Sequence, residues 1–193
     1  MEKQDKILEI YEAALKVFAE YGFKKATVED IASHLGLTKG ALYIYIRDKK
    51  ELYEKAVGYA MLKWQNRVKD AVSKEDDVEK QFYIMCYKAY EYLAEDAILR
   101  KILVKDPSIF PIFPLQDPYG EINNSSIDLL RGILKKGVEE KRFRNVDIDV
   151  VTKLIFTLYK MMILETYVIN DEAPKLVFSE LVNLITKGLF IDK

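Results

Sequence analysis

Cysteine and histidine are all but missing from this chain: in 193 residues each occurs once, as Cys86 and His34. A lone cysteine forms no intrachain disulfide, so nothing argues for an oxidising compartment. One histidine and one cysteine are also too few for a zinc site or a histidine-dependent triad. His34 reads as an exposed or packing residue. Glycine (8) and proline (5) are scarce too, leaving little of the chain for loops. Neither of the glycine-rich phosphate cradles, G-x-x-x-x-G-K or G-x-G-x-x-G, is present, and Gly36–Gly40 reads as a turn and a helix start. A long apolar run is lacking as well: Ile148 to Ile169 is broken by Asp149, Lys153, Lys160 and Glu165, too polar for a bilayer. The opening residues, Met1 to Leu15, alternate at helical spacing and are no secretory signal. The many carboxylates fall on outer helix faces, where solvation is the default. These absences disfavour an enzyme, a metal or cofactor site and a membrane partner, and they place the protein in the cytoplasm.

What remains is a soluble globular profile, 50% hydrophobic and 32% charged, long enough to bury a real core. An all-α fold is expected. Net charge is −1, so a nucleic-acid partner would be held by a local patch and not by bulk charge. Between Lys39 and Lys50 there are four basic residues against the single acid Asp48, a modest patch.

Thr27 to Leu52 is the organising stretch. Thr27 with Asp30 three residues on is the pattern that satisfies free donors at a helix start. Val28, Ile31, Ala32 and Leu35 then form one apolar stripe. Gly36 is suited to the positive φ that ends a helix, and Thr38 to capping the next. The spacing predicts a helix-turn-helix, the motif whose second helix enters a DNA major groove. In that second helix Leu42 and Ile46 face inward, while Lys39, Tyr43, Tyr45, Arg47, Lys49 and Lys50 supply cations and hydroxyls around the rim. Gly40 costs roughly 0.8–1.0 kcal/mol of helix stability relative to Ala, a cost acceptable where backbone must approach a surface.

The run T-V-E-D-I-A-x-x-L-G-L-T-K-G-A-L-Y-x-Y-I-x-x-K-x-E-L resembles the DNA-binding signature of the TetR family of transcriptional regulators, closely over about residues 5–55. The resemblance implies contacts to double-stranded operator DNA from Thr27, Thr38, Lys39, Gly40, Ala41, Tyr43, Ile44, Tyr45 and Lys49. It also implies a variable helical body that dimerises and binds an effector, and hence a repressor released by a small apolar or aromatic ligand. Two positions depart from the usual pattern: Ile44 stands where an aromatic or histidine is common, and Ile46 where phenylalanine is usual.

Ile7, Leu8, Tyr11, Ala14, Leu15 and Phe18 predict a first helix ending at Gly22, which completes a three-helix reader over residues 1–47. The remainder, 48–193, is expected to be a larger helical ligand-binding and dimerisation domain. Its first helix opens at Asp48 and carries Leu52, Ala56, Ala60, Trp64 and Val68, with no flexible linker before it. A second, Val78 to Leu93, is apolar or aromatic on nearly every face and is expected to be central and buried. A shorter amphipathic helix carries Ile98, Leu99, Ile102 and Leu103. Four of the five prolines lie between Asp106 and Gly120, which reads as either a pocket lid or a packed connector. A helix over Ile122 to Lys141 follows, then a turn from Gly137 to Asp147 that resembles the one before the dimer-forming helix pair of TetR-like proteins, with Lys141 where glycine is common. The last two helices, Asp147 to about Ile169 and Pro174 to about Phe190, carry more apolar surface than one neighbour can cover. A two-fold four-helix interface through Val151, Leu154, Leu158, Met162, Leu181 and Ile185 would bury the excess in a homodimer.

The aromatic set Trp64, Phe82, Tyr83, Tyr87, Tyr90, Phe110, Phe113 and Tyr159, with Cys86 among them, either lines an apolar effector cavity or is plain core. The rival to a DNA-binding regulator is a helical protein-interaction module with no DNA or ligand role. A steep fall of DNA binding with salt separates the two.

Overall fold

A computed structural model of the chain describes residues 2–111, 117–169 and 174–191. Helix α1, Glu2–Lys25, buries Ile10, Ala14 and Phe18 along one stripe. Its regular path breaks at Gly22, where φ 75° and ψ 161° are accessible to glycine alone without strain. Three helical residues follow the kink before the chain turns into α2, Val28–His34. The Thr27–Asp30 capping box is complete: Asp30 N donates to Thr27 Oγ1 at 3.1 Å and Thr27 N to Asp30 Oδ2 at 2.9 Å. Gly36, at φ 66°, turns the chain towards α3. Thr38 then caps α3 by accepting from Ala41 N at 3.2 Å.

Helix α3 is shorter than the sequence predicts. Regular α-helix covers only Lys39–Leu42; Ile44 N and Tyr45 N then reach back three residues, to Ala41 O and Leu42 O. That is a tightened terminal turn. It still buries Leu42 and Ile46 beneath the reader.

Helix α4, Lys49–Val72, starts at once, with Asp48 accepting from Glu51 N and the Glu51 carboxylate accepting from Arg47 N. It packs against α1 at one end and α5, Val78–Glu95, along the other. The expectation that α5 is buried all round is corrected. Phe82, Ala89, Tyr90 and Leu93 are buried, whereas Tyr83, Met85, Tyr87 and Tyr92 are only half-covered. Helix α6, Ala97–Lys105, lies on α1, where Lys105 Nζ donates to Glu20 O beside the Gly22 kink. A single 3₁₀ turn, Pro107–Ile109, brings Phe110 into the core.

Helix α7 starts slightly earlier than expected, at Gly120, and runs to Glu139. The turn after it is tightly specified. Arg142 N and Phe143 N both donate to Gly137 O at 2.9 Å, which holds Lys141 at φ 57°. A lysine there bears roughly 1–2 kcal/mol of left-handed strain that glycine would escape. Gly137 has no such freedom of replacement, since a Cβ on it would lie 2.1 Å from the Phe143 ring. Phe143 stacks on Phe190 at 4.7 Å and meets Phe82 edge-on. The turn thereby fastens α7 to α5 and to the end of α9, Pro174–Leu189. Between them α8, Ile148–Leu164, is capped by Asp147 and ends in a π-helical turn, Glu165–Ile169. No strand occurs among the described residues, and no helix there is long and apolar enough to cross a membrane.

Candidate nucleic-acid interface and ligand cavity

With Leu42 and Ile46 held inside, the opposite side of α3 and its terminal turn is bare: Ile44 is 74% exposed, and Gly40 and Tyr43 are exposed beside it. Ala41 and Tyr45 are half-covered. No atom stands within 4 Å of where a Gly40 Cβ would be, so the surface over it is open. Cations surround this ridge, each held by a neighbour. Lys39 is paired with Glu29, Arg47 with Asp48 at 3.0 Å and Lys50 with Glu54 at 3.8 Å. The Lys39 pair lowers the pKa of the Glu29 carboxyl and raises that of the ammonium. Thr27 and Thr38 both spend their hydroxyl oxygens on helix caps.

Lys49 is placed differently from the others. Its ammonium donates to Phe23 O at 2.8 Å and Ala26 O at 2.9 Å, and it sits 4.7 Å from the Phe23 ring centroid. It clamps the start of α4 to the end of α1. Lys24 and Lys25, adjacent and exposed, add charge that the helix-turn-helix pattern gave no reason to include.

In the body, a cavity of about 60 Å³ lies among α4, α5, α7 and α8. It is lined by Trp64, Cys86, Phe110 and Tyr159 of the expected set. Phe82, Tyr83, Tyr87 and Tyr90 are not among its walls. They lie round α5 from the cavity-facing Met85 and Ala89, and pack on Phe143, Phe178 and Phe190 instead. Phe113 falls outside the described residues. Periodicity did not separate these groups because α5 offers apolar or aromatic residues on both faces. The remaining walls, including Gln65, Asn123, Leu129 and Phe156, come from helices with no aromatic clustering to flag them.

Trp64 Nε1 donates to Ala89 O at 3.0 Å, so α4 and α5 are joined at the cavity wall. Gln65 Oε1 and the Tyr159 hydroxyl are buried there with no hydrogen-bond partner among the described residues. Such groups cost about 1–3 kcal/mol each unless something supplies one. Burial raises the Tyr159 pKa well above its ordinary value and pushes the Cys86 thiol up to about 12. At neutral pH Cys86 is a protonated wall and not a nucleophile.

A wider, more open cleft of about 610 Å³ adjoins the cavity, sharing Asn123 and Phe156 with it. Arg131, Lys153, Lys160, Asp117 and Asp149 bring charge to its walls. Elsewhere on α8, Val150, Leu154, Leu158 and Met161 recur at helical spacing and are exposed, Leu154 by 56%. On α9, Leu176, Val177 and Leu184 are exposed, Leu184 by 68%, with Leu181 and Ile185 half-covered, as are Val151 and Met162 of α8. Among the described residues, nothing covers this exposed apolar surface of the last two helices.

Residues 10–56 match the model of the bacterial regulatory proteins of the tetR family. The chain is similar to the fatty acid metabolism regulator protein of Bacillus subtilis, 23% identical over 194 residues that cover 97% of each. It is also 24% identical over 152 residues to the transcriptional repressor KstR2 of Mycolicibacterium smegmatis, covering 76% of this chain and 72% of that one. Among solved structures, the transcriptional regulator FadR of Bacillus subtilis in complex with stearoyl-CoA shares the fold. Its TM-score is 0.78 at 21% identity, with 93% of this chain and 97% of that one aligned.

Proposed function

We propose that this chain, which belongs to the TetR family of transcriptional regulators, is a repressor that binds a palindromic operator as a homodimer and is released by a small apolar ligand. The observation that carries the reading is the two-sidedness of α3: Leu42 and Ile46 are locked inside while Ile44 and Tyr43 stand bare. Major-groove thymine methyls give Ala41 and Ile44 an apolar partner. Thr38, Gly40, Tyr43 and Tyr45 lie where hydroxyl and backbone groups meet phosphate, and Lys39 exchanges Glu29 for phosphate on binding. Thr27 acts through the cap that sets α2, and Lys49 through the clamp that sets α4.

Two such readers are needed to meet half-sites roughly 34–36 Å apart, one helical turn or a multiple of it. The uncovered faces of α8 and α9 supply the means of pairing. An apolar effector is supported by the lining of the cavity and by the stearoyl-CoA held in the Bacillus subtilis FadR structure. At about 60 Å³ the cavity has room for little more than a few waters, so an apolar chain enters only by moving its walls. Close-packed walls move as whole helices. One of those walls is α4, whose other end is clamped to the reader. A second tie runs through α6, since Tyr53 Oη donates to Asp106 at 2.8 Å and Lys105 Nζ to Glu20 O. Ligand and operator would thus compete through the spacing of the readers.

The experiment has two arms. Selection of duplexes from a random pool by the full chain should yield a palindrome whose binding falls steeply with salt. Calorimetric titration of an apolar effector, with and without saturating operator, should then differ by roughly 5–150-fold, the reciprocal coupling typical of such switches. No enriched duplex favours the helical interaction module. Equal ligand affinities in both states would leave the cavity without a regulatory role.

A further inference from the structure

Lys160 is the odd member of α8. Its neighbours along the helix are apolar, yet the lysine is 5% exposed and has no carboxylate within 4 Å among the described residues. Its ammonium donates to Pro111 O at 2.6 Å and rides 5.3 Å from the Phe156 ring centroid. A lysine carries three donors, so two remain without a described protein acceptor. Burying a charge is costly, and an anion that pairs with it offsets that cost.

We propose that Lys160 anchors the negatively charged head of an amphipathic ligand whose apolar tail lies in the neighbouring cavity, an inference that rests on the effector-responsive reading above. The placement fits both halves. Lys160 lines the open cleft, and Phe156, against which it lies, is a wall shared with the smaller, mainly apolar cavity. A chain passing Phe156 leaves its polar end beside the ammonium. The cleft's two carboxylates are already engaged: Asp117 accepts from Asn123 Nδ2 at 2.7 Å and Tyr119 N at 2.9 Å, and Asp149 from Arg131 Nε at 2.9 Å. Neither is within ion-pair distance of Lys160, so no described carboxylate competes with an incoming anion for the cation. Burial lowers the lysine's pKa, and the more distant Asp117 acts against that shift.

A carboxylate and the polar portion of an acyl thioester share this chemistry, and the test separates them. Palmitate, palmitoyl-CoA and hexadecanol are titrated by calorimetry into the full chain and into Lys160→Met and Lys160→Arg, with thermal melts to check folding. At least one anionic ligand should bind roughly 10–100-fold more tightly than the alcohol, the range for a hydrogen bond to a charged group. Lys160→Met should erase that preference and leave hexadecanol unchanged, and Lys160→Arg should keep most of it. Which anion shows the preference identifies the head group. Should Lys160→Met fail to fold, Lys160→Gln replaces it with the same expectation. A preference that survives loss of the cation, or hexadecanol binding as well as both anions, overturns the proposal. Absence of heat with all three also overturns it, and operator binding measured on the same samples then tells whether the DNA-binding reading stands.

Discussion

In the reader, the polar groups at helix starts and at the joint to α4 are matched. Thr27 answers Asp30, Thr38 answers Ala41 N, and the Lys49 ammonium answers two backbone carbonyls. Ile10, Phe18, Ile31 and Leu42 close over one another with almost no exposure. The body is built from the same kinds of residue but is left open. The buried side-chain atoms lacking partners among the described residues, on Gln65, Arg100, Tyr159, Thr166 and Tyr167, all lie in α4 or beyond. Lys160 is buried without an ion-pair partner among the described residues, and the outer faces of α8 and α9 carry exposed apolar side chains. A domain finished by its own chain needs nothing inside it and offers one outer surface. The contrast is between a reader with no unpartnered buried side-chain atom among the described residues and a body that holds several.

The strongest way to break that contrast is to deny the body its second copy. Leu158→Glu with Leu181→Glu should give monomers by light scattering, with operator affinity reduced by roughly 10²–10⁴-fold as the linked second site is lost. Persistence of the dimer would move the interface away from α8 and α9. Next, a cut into each interior should cost different amounts. Leu42→Ala should lower stability by about 2–5 kcal/mol, since the reader has no slack to absorb a cavity. Tyr159→Phe should be neutral or slightly stabilising in the absence of ligand, because it removes a hydroxyl that has no protein partner. Equal losses in thermal melts would mean that the body is as closed as the reader.

Smaller effects sharpen the reader's own division of labour. Ile44→Ala should leave the melting temperature alone and cost about 1 kcal/mol or more of binding, concentrated at one T·A pair. Lys49→Met should destabilise the joint by about 1 kcal/mol while leaving the salt slope of DNA binding unchanged. A slope flattened by about one would instead count Lys49 among the phosphate contacts. The least effect is expected at the turn after α7, where Lys141→Gly should gain up to about 1 kcal/mol in chemical denaturation as left-handed strain is relieved.

Local patterns were legible where each residue's role depends on its near neighbours. The Thr27–Asp30 box, the Gly36 turn, the Thr38, Asp48 and Asp147 caps and the break at Gly22 all follow from residues three or four apart. Even Lys141, marked as standing where glycine is common, takes the positive φ that glycine would. The length of α3 was not legible, because its last residues are held in tight turns by Leu42 and Ile46 packing beneath them. Four of the nine residues expected at the cavity, Phe82, Tyr83, Tyr87 and Tyr90, lie elsewhere for a related reason. On α5 a tyrosine against α9 and a methionine against the cavity are equally apolar, and only the neighbouring helix decides which faces what.

The sequence by itself determined an all-helical chain with a capped helix-turn-helix at its start, since helix periods, caps and turn glycines act over a few residues. It also marked the last two helices as unusually apolar, and part of that surface is exposed among the described residues. Only the tertiary structure decided that Lys49 spends its donors on α1, that α6 as well as α4 reaches the reader, and that the cavity is walled by α7 and α8. It alone brought Lys160, some fifty residues from Pro111 in the chain, to that carbonyl at the cavity's edge. Burial and contact across such separations are set by how helices cross, and no short pattern encodes that.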